Sequence, residues 1–150
     1  MSIMLTLMCG IPRCGKSTWI SKNKKDAIIV SPDDIRKEIF GHQFFNPGEP
    51  WIWAFTKSMI RLLMIQKKDV IINATNLFPW LRREWLCLAY ELNYKAKMVL
   101  IDTPIEVCMK RNKKESHKVP LDKMMLINSA FIKPEDKEGF DKLVVVKKGN

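Results

Sequence analysis

The most constraining feature of this chain is the stretch Gly10-Ile11-Pro12-Arg13-Cys14-Gly15-Lys16-Ser17. It matches G-x-x-x-x-G-K-[ST], follows an apolar run at residues 3–9 and opens a helical segment, which is the context that identifies a phosphate-binding loop. Successive backbone N–H groups and a helix N-terminus make a cationic nest for phosphates. Gly10, Ile11, Pro12, Arg13, Cys14 and Gly15 form that cradle. Lys16 is placed to reach the β- and γ-phosphates, Ser17 to hold Mg²⁺ through its hydroxyl, and Thr18 to support the α-phosphate side. Only the N–H of Arg13 is needed, so its side chain is expected in solvent. Such a loop requires a strand ending in it and a helix leaving it, and this fixes an α/β sheet with the site at the strands' carboxyl ends.

The rest of the sequence fits that frame. Further apolar runs lie at residues 27–30, 70–72, 98–101 and 143–146. They are continuous rather than alternating, as in strands covered on both faces. Helical stretches separate them, so the sheet is expected to be mostly parallel and doubly wound, with five strands in a single domain spanning residues 1–150. Ser31-Pro32-Asp33-Asp34 reads as a capped helix start, and Thr103-Pro104-Ile105-Glu106 repeats the layout. Residues 50–66 form a helix expected to bury Trp51, Phe55, Met59, Leu62 and Leu63. Residues 79–92 form another, with Trp85, Leu86 and Ala89 inward, and 120–131 the last. Asn46-Pro47-Gly48 and residues 133–139 read as loops.

Twenty-six Lys and Arg against 16 Asp and Glu give the 150 residues a formal charge of +10, which favours a polyanionic partner. No apolar run reaches the ~20 residues of a membrane span, and residues 2–10 lack the basic flank of a signal peptide. Cys9, Cys14, Cys87 and Cys108 form no C-x-x-C pair, which argues for reduced cytosolic thiols and against zinc. No N-K-x-D guanine-reading pattern occurs, and the chain is short for a motor ATPase. A small kinase is the economical class.

A kinase needs a group that accepts the acceptor hydroxyl's proton. Asp34 is accounted for as a capping partner of Ser31, whereas Asp33 is not, and Arg36 lies one turn on, on the same face. Residues 110–118 carry five cations against one acid, a candidate basic lid. The acid expected after the third strand is missing, since Asn73-Ala74-Thr75-Asn76 stands there. Asp102 is a stand-in by position, although capping Thr103-Pro104 is its plainer role.

Taken together, residues 10–19 (GIPRCGKSTW), 31–36 (SPDDIR), 70–77 (VIINATNL) and 102–112 (DTPIEVCMKRN), with Val119-Pro120 and Glu138-Gly139-Phe140-Asp141, resemble the polynucleotide 5′-kinase family, in particular its phage-type kinase domain within the small P-loop kinase-like group. The resemblance implies a cytoplasmic ATP- and Mg²⁺-dependent transfer of the γ-phosphate to 5′-hydroxyl ends of DNA or RNA in nucleic-acid repair. It makes Asp33 the general base, Arg36 the contact to the acceptor's adjacent phosphate, Lys16 and Ser17 the phosphate and magnesium residues, and Arg111 a lid arginine. Two positions depart from it. Asn73 and Ala74 are uncharged, and a second lid arginine falls near Glu115, with Lys114 the available substitute. No D-x-D-x-T occurs, so no 3′-phosphatase activity is expected. Phe44, Phe45, Trp51 and Trp53 are candidate base platforms, Trp51 being assigned rather to the core. Two other readings stay open: a kinase of a modified base or small-molecule hydroxyl, and a nucleotide-binding module with little catalysis.

Overall fold

Side chains alternate between the two faces of a strand, and here both faces are apolar, so both must be covered. The computed structural model describes residues 3–41 and 46–147. Its five strands are β1 (Met4–Cys9), β2 (Ile28–Val30), β3 (Val70–Ile72), β4 (Lys95–Asp102) and β5 (Lys142–Lys147). All pair in parallel, in the order β2-β3-β1-β4-β5. Six helices connect them: α1 (Lys16–Asn23), α2 (Pro32–Phe40), α3 (Glu49–Ile65), α4 (Pro79–Glu91), α5 (Ile105–Lys113) and α6 (Leu121–Ala130). This is the doubly wound α/β fold expected, with a sheet that is parallel throughout.

One face carries Leu5, Leu7, Val70, Ile72, Met98 and Leu100, packed under Ile60 and Met64 of α3 and Trp85 and Ala89 of α4. The other carries Met8, Ile71, Val99 and Ile101 under Ile20 of α1, Cys108 of α5 and Met124 of α6. Burying each large side chain stabilises the fold by about 1.5–3 kcal/mol before ordering costs. The edges are less covered than the apolar runs suggested, and Ile28 and Ile29 of β2 and Val145 of β5 are exposed. β4 begins three residues earlier than its apolar run, because Lys95 and Lys97 alternate with the buried Ala96 and Met98.

Two helix assignments need correction. The buried residues of α3 are Ile52, Thr56, Ile60 and Met64, flanked by Trp53, Met59 and Leu63. Trp51 is 77% exposed and Phe55 and Leu62 are exposed too, so Trp51 is not a core residue. The i, i+4 row through Ile52 admits a threonine because Thr56 Oγ1 donates to the Ile52 carbonyl and satisfies itself. The second concerns α5: its cap position is Pro104, with no side-chain cap, and Thr103 is used elsewhere. Ser31 does cap α2, accepting from the Asp34 N–H. Short 3₁₀ turns occupy Asn46–Gly48 and Asp136–Glu138 within the expected loops. Phe44 and Phe45 lie outside the described residues.

Candidate active site

The carboxyl ends of the strands converge on a cleft of about 470 Å³. Residues 12–18 line it from the loop after β1, Ser31, Asp33 and Asp34 from the start of α2, Asn73, Ala74 and Thr75 from the turn after β3, and Arg111, Glu115 and Val119 from α5 and beyond.

The loop owes its shape to its glycines. Gly10 has φ +152°, and a Cβ there would lie 2.6 Å from Cys14 Sγ and 3.0 Å from the Ile101 carbonyl oxygen. Gly15 has φ +112° and supplies no side-chain cap to α1. The first N–H groups of α1 have no partner within the helix, and its first-turn residues Lys16, Ser17 and Thr18 line the cleft. Lys16 Nζ folds back onto the loop, donating to the carbonyls of Gly10 at 2.8 Å and Ile11 at 3.0 Å. Arg111 Nη1 donates to the carbonyls of Arg13 and Cys14, and Thr103 Oγ1 donates to Cys14 at 2.7 Å. Thr103 and Arg111 therefore hold the carbonyls of Arg13 and Cys14, and Lys16 those of Gly10 and Ile11. Thr103 was invisible as a site residue, because its cap-like sequence context gave it another role.

Arg13 does not point to solvent. Its guanidinium donates to Asn112 Oδ1 at 3.2 Å and to the His117 carbonyl, and stands 4.0 Å from a Glu115 carboxylate oxygen. Asn112, buried, closes residues 113–118 into a loop by bonding Val119 through both its amide groups. The basic segment is thus pinned to the phosphate loop rather than swinging free. Lys114 ends α5, exposed and outside the cleft lining, while Glu115 is inside it.

Asp33 stands at the mouth of the cleft with its side chain 62% exposed, and Arg36 donates to it. Arg36 itself is largely enclosed. Glu49 receives its Nε at 2.6 Å and Nη2 at 2.9 Å, and Trp53 lies beneath it at 5.9 Å. Burial works against the Arg36 cation, but the Glu49 hydrogen bonds and the charges of Asp33 and Glu49 hold its pKa above the usual arginine value. Lys123 of α6 faces the same group. Burial, then the charge of Arg36, lowers its pKa. Glu49 and Lys123 had no sequence signal, since neither sits in a motif. Arg36 is beside the cleft rather than in its lining.

Asn73 occupies the place of the missing acid and donates to Ser17 Oγ at 3.4 Å. Asp102 is no substitute: it takes an ion pair from Lys133 at 3.2 Å, away from the cleft, and caps no helix.

This arrangement suits a polyphosphate. Uncapped N–H groups, Lys16 and Arg111 favour anions, and Ser17 offers one hydroxyl oxygen. Among the described residues no three His, Cys, Asp or Glu side chains gather as a metal cage. One hydroxyl fits Mg²⁺ that arrives on nucleotide phosphates and keeps several waters.

The family model described as AAA domain matches residues 5–134. The chain belongs to that family. Among curated relatives, it is 25% identical over 145 residues to L-seryl-tRNA(Sec) kinase of Methanococcus maripaludis, covering 92% of this chain and 56% of the relative. It is 28% identical over 134 residues to a putative bifunctional polynucleotide kinase/RNA ligase of Autographa californica nuclear polyhedrosis virus, covering 80% of this chain and 19% of that protein. The chain thus spans about half of one relative and a fifth of the other. In fold, this AAA domain is similar to a chain of the Pnkp1/Rnl/Hen1 RNA repair complex, with a TM-score of 0.74, 24% identity and coverage of 86% of this chain and 43% of that one. It is equally similar to a putative kinase from Chloroflexus aurantiacus, with a TM-score of 0.74, 14% identity and coverage of 98% and 89%. Among the described residues no helix is long and apolar enough to cross a membrane.

Proposed function

We propose that this chain is an ATP-dependent kinase whose acceptor is a hydroxyl carried on nucleic acid, the 5′-hydroxyl end of DNA or RNA in the first instance. The observation that carries the reading is the shared cleft: Asp33, exposed at its mouth, faces the same space as Lys16, Ser17 and Arg111. The two kinase relatives support the chemistry, and both act, by their names, on RNA- or polynucleotide-borne groups.

In this reading the loop N–H groups and Lys16 hold the triphosphate, and Arg111 adds charge beside Gly15 as negative charge spreads over the transferring group. Bound Mg²⁺ would screen the β- and γ-phosphate oxygens, with Ser17 as its protein ligand. Asp33 accepts the hydroxyl proton while a new P–O bond forms to the acceptor oxygen and the bond to the departing diphosphate breaks. Glu49 fixes Arg36, so that its remaining Nη1 points at Asp33.

The test is transfer of labelled γ-phosphate from ATP to a panel of 5′-OH DNA, 5′-OH RNA, hydroxymethyl-base DNA, seryl-tRNA and free nucleosides. Label on 5′-OH ends, lost in Asp33→Asn with nucleotide binding retained, supports the reading. Label only on seryl-tRNA or a free nucleoside moves the acceptor. No label on anything, with ATP still bound, leaves a nucleotide-binding module.

A further inference from the structure

The half of the sheet opposite Asp33 carries a cationic surface that the cleft does not use. Lys97 of β4 and Lys142 of β5 are register partners. Each begins a column on the same face, followed by Val99 and Ile101 in one strand and Val144 and Val146 in the other, which pack into the core beneath α1. Two ammonium groups therefore stand side by side across a parallel pair, an arrangement that costs stability. Lys97 Nζ lies 5.3 Å from the centroid of Trp19 on α1, so the ring holds it in place. Lys22, three residues along the same helix, extends the group, and Lys25 follows the helix end, close enough to act on Lys97. Among the described residues no carboxylate lies within 4.0 Å of Lys22, Lys25, Lys97 or Lys142. Burial first, and then the charges of Lys142 and Lys25, lowers the pKa of Lys97, so both cations stand near it.

We propose that Lys22, Lys25, Lys97 and Lys142, arrayed around Trp19, form a second nucleic-acid contact that grips the phosphate backbone of a single strand. Lys97 lies four residues before Ile101, which packs against Gly10 and Gly15 of the phosphate loop, or roughly 13 Å at ~3.3 Å per residue. A strand covering ~4–16 nucleotides spans that distance. The choice of nucleic acid over another polyanion rests on the proposed function.

The experiment measures binding of a 5′-phosphorylated RNA of about 20 nucleotides, which offers no 5′-hydroxyl, against salt concentration. The variant is Lys22→Glu/Lys142→Glu. The control, Lys57→Glu/Lys137→Glu, changes net charge equally on other faces. The expected result is weaker binding, with a salt slope shallower by about 0.7 for each phosphate no longer neutralised, in the first pair only. ATP binding should be the same in all three proteins. An unchanged slope, or an equal change in the control pair, overturns the proposal. So does a variant that keeps RNA binding but loses binding to phosphatidylserine-rich vesicles or to an acidic peptide. If the wild type phosphorylates no acceptor, the proposed function fails while the slope still reads this surface.

Discussion

At the scale of single residues, the departures at Asn73 and Arg13 make the sharpest tests. Asn73 donates to Ser17 Oγ but brings no negative charge to the one hydroxyl that would hold Mg²⁺. P-loop enzymes commonly place an aspartate there to anchor the ion. Asn73→Asp is therefore expected to lower the Mg²⁺ concentration that half-saturates phosphate transfer, by about tenfold if the second-sphere interaction is restored. A titration of rate against Mg²⁺ checks this, and an unchanged midpoint would mean that the ion sits clear of this side chain. Arg13→Ala should release residues 113–118 from the phosphate loop, because the Asn112, His117 and Glu115 contacts go together. The expected outcome is faster tryptic cleavage at Lys113, Lys114 and Lys118 and a higher KM for ATP, with Asn112→Ala doing the same through the other partner. The loop glycines and Lys16 were legible in the sequence because their roles follow from local backbone geometry. The side-chain partners of Arg13 and Thr103 were not, because they lie about 90 to 100 positions away in the chain.

At the scale of elements, α4 is tied to the site through a residue its amphipathic pattern conceals. Arg82 is fully buried and makes a bidentate pair with Glu138 at 2.8 Å for each bond. It also donates to the carbonyls of Asn76 and Ile132. Asn76 in turn donates to Met8 in β1, and the neighbouring Thr75 carbonyl accepts from Gly10 N–H. A helix, the turn after β3, the end of α6 and the phosphate loop are thereby joined. Glu138→Ala leaves the guanidinium buried without its counter-charge and is expected to cost about 3–5 kcal/mol, read as a shift in the urea midpoint. Burial pushes the Glu138 carboxyl up, but the Arg82 hydrogen bonds and charge outweigh it and hold its pKa below the ordinary 4.5. A depressed acid stabilises the fold above its unfolded pKa and ceases to do so as pH falls through the folded one. The gap between wild type and Glu138→Ala should accordingly narrow below about pH 4.5, and a gap that holds at lower pH would show that shape, not charge, binds the segment. The element order was legible because five apolar runs and strong helix starts alternate. The inward face of α3 was not, because the aromatic residues along the helix mark the row through Trp51 instead of the row through Ile52.

For the whole molecule, covering both faces of a parallel sheet decides the chemistry of its thiols. Cys9, Cys14 and Cys108 are buried at the sheet's centre, in the loop and on α5, whereas Cys87 on α4 is exposed, and all four are free. Burial, only partly offset by Arg82 and Lys16, pushes the Cys9 thiol up to about 12. Burial and the nearby Cys14 push Cys108 up to about 11, against the charge of Arg111. Alkylation proceeds through the thiolate and needs access as well. At pH 8 iodoacetamide should therefore label the native protein once, at Cys87, and in urea four times, counted by intact mass. The same shifts set an alkaline limit. A raised folded pKa stabilises the fold fully below the ordinary thiol value of 9.0 and loses that contribution as pH climbs toward the folded value. Cys9→Ala should then flatten the decline in melting temperature above about pH 9, and an unchanged decline would show that the thiol does not set this limit. Rapid labelling of a second thiol in the native state at pH 8 would mean that one face opens well below global unfolding. If ATP slowed that second labelling, the opening would lie at the phosphate loop, where Cys14 sits beneath Gly10.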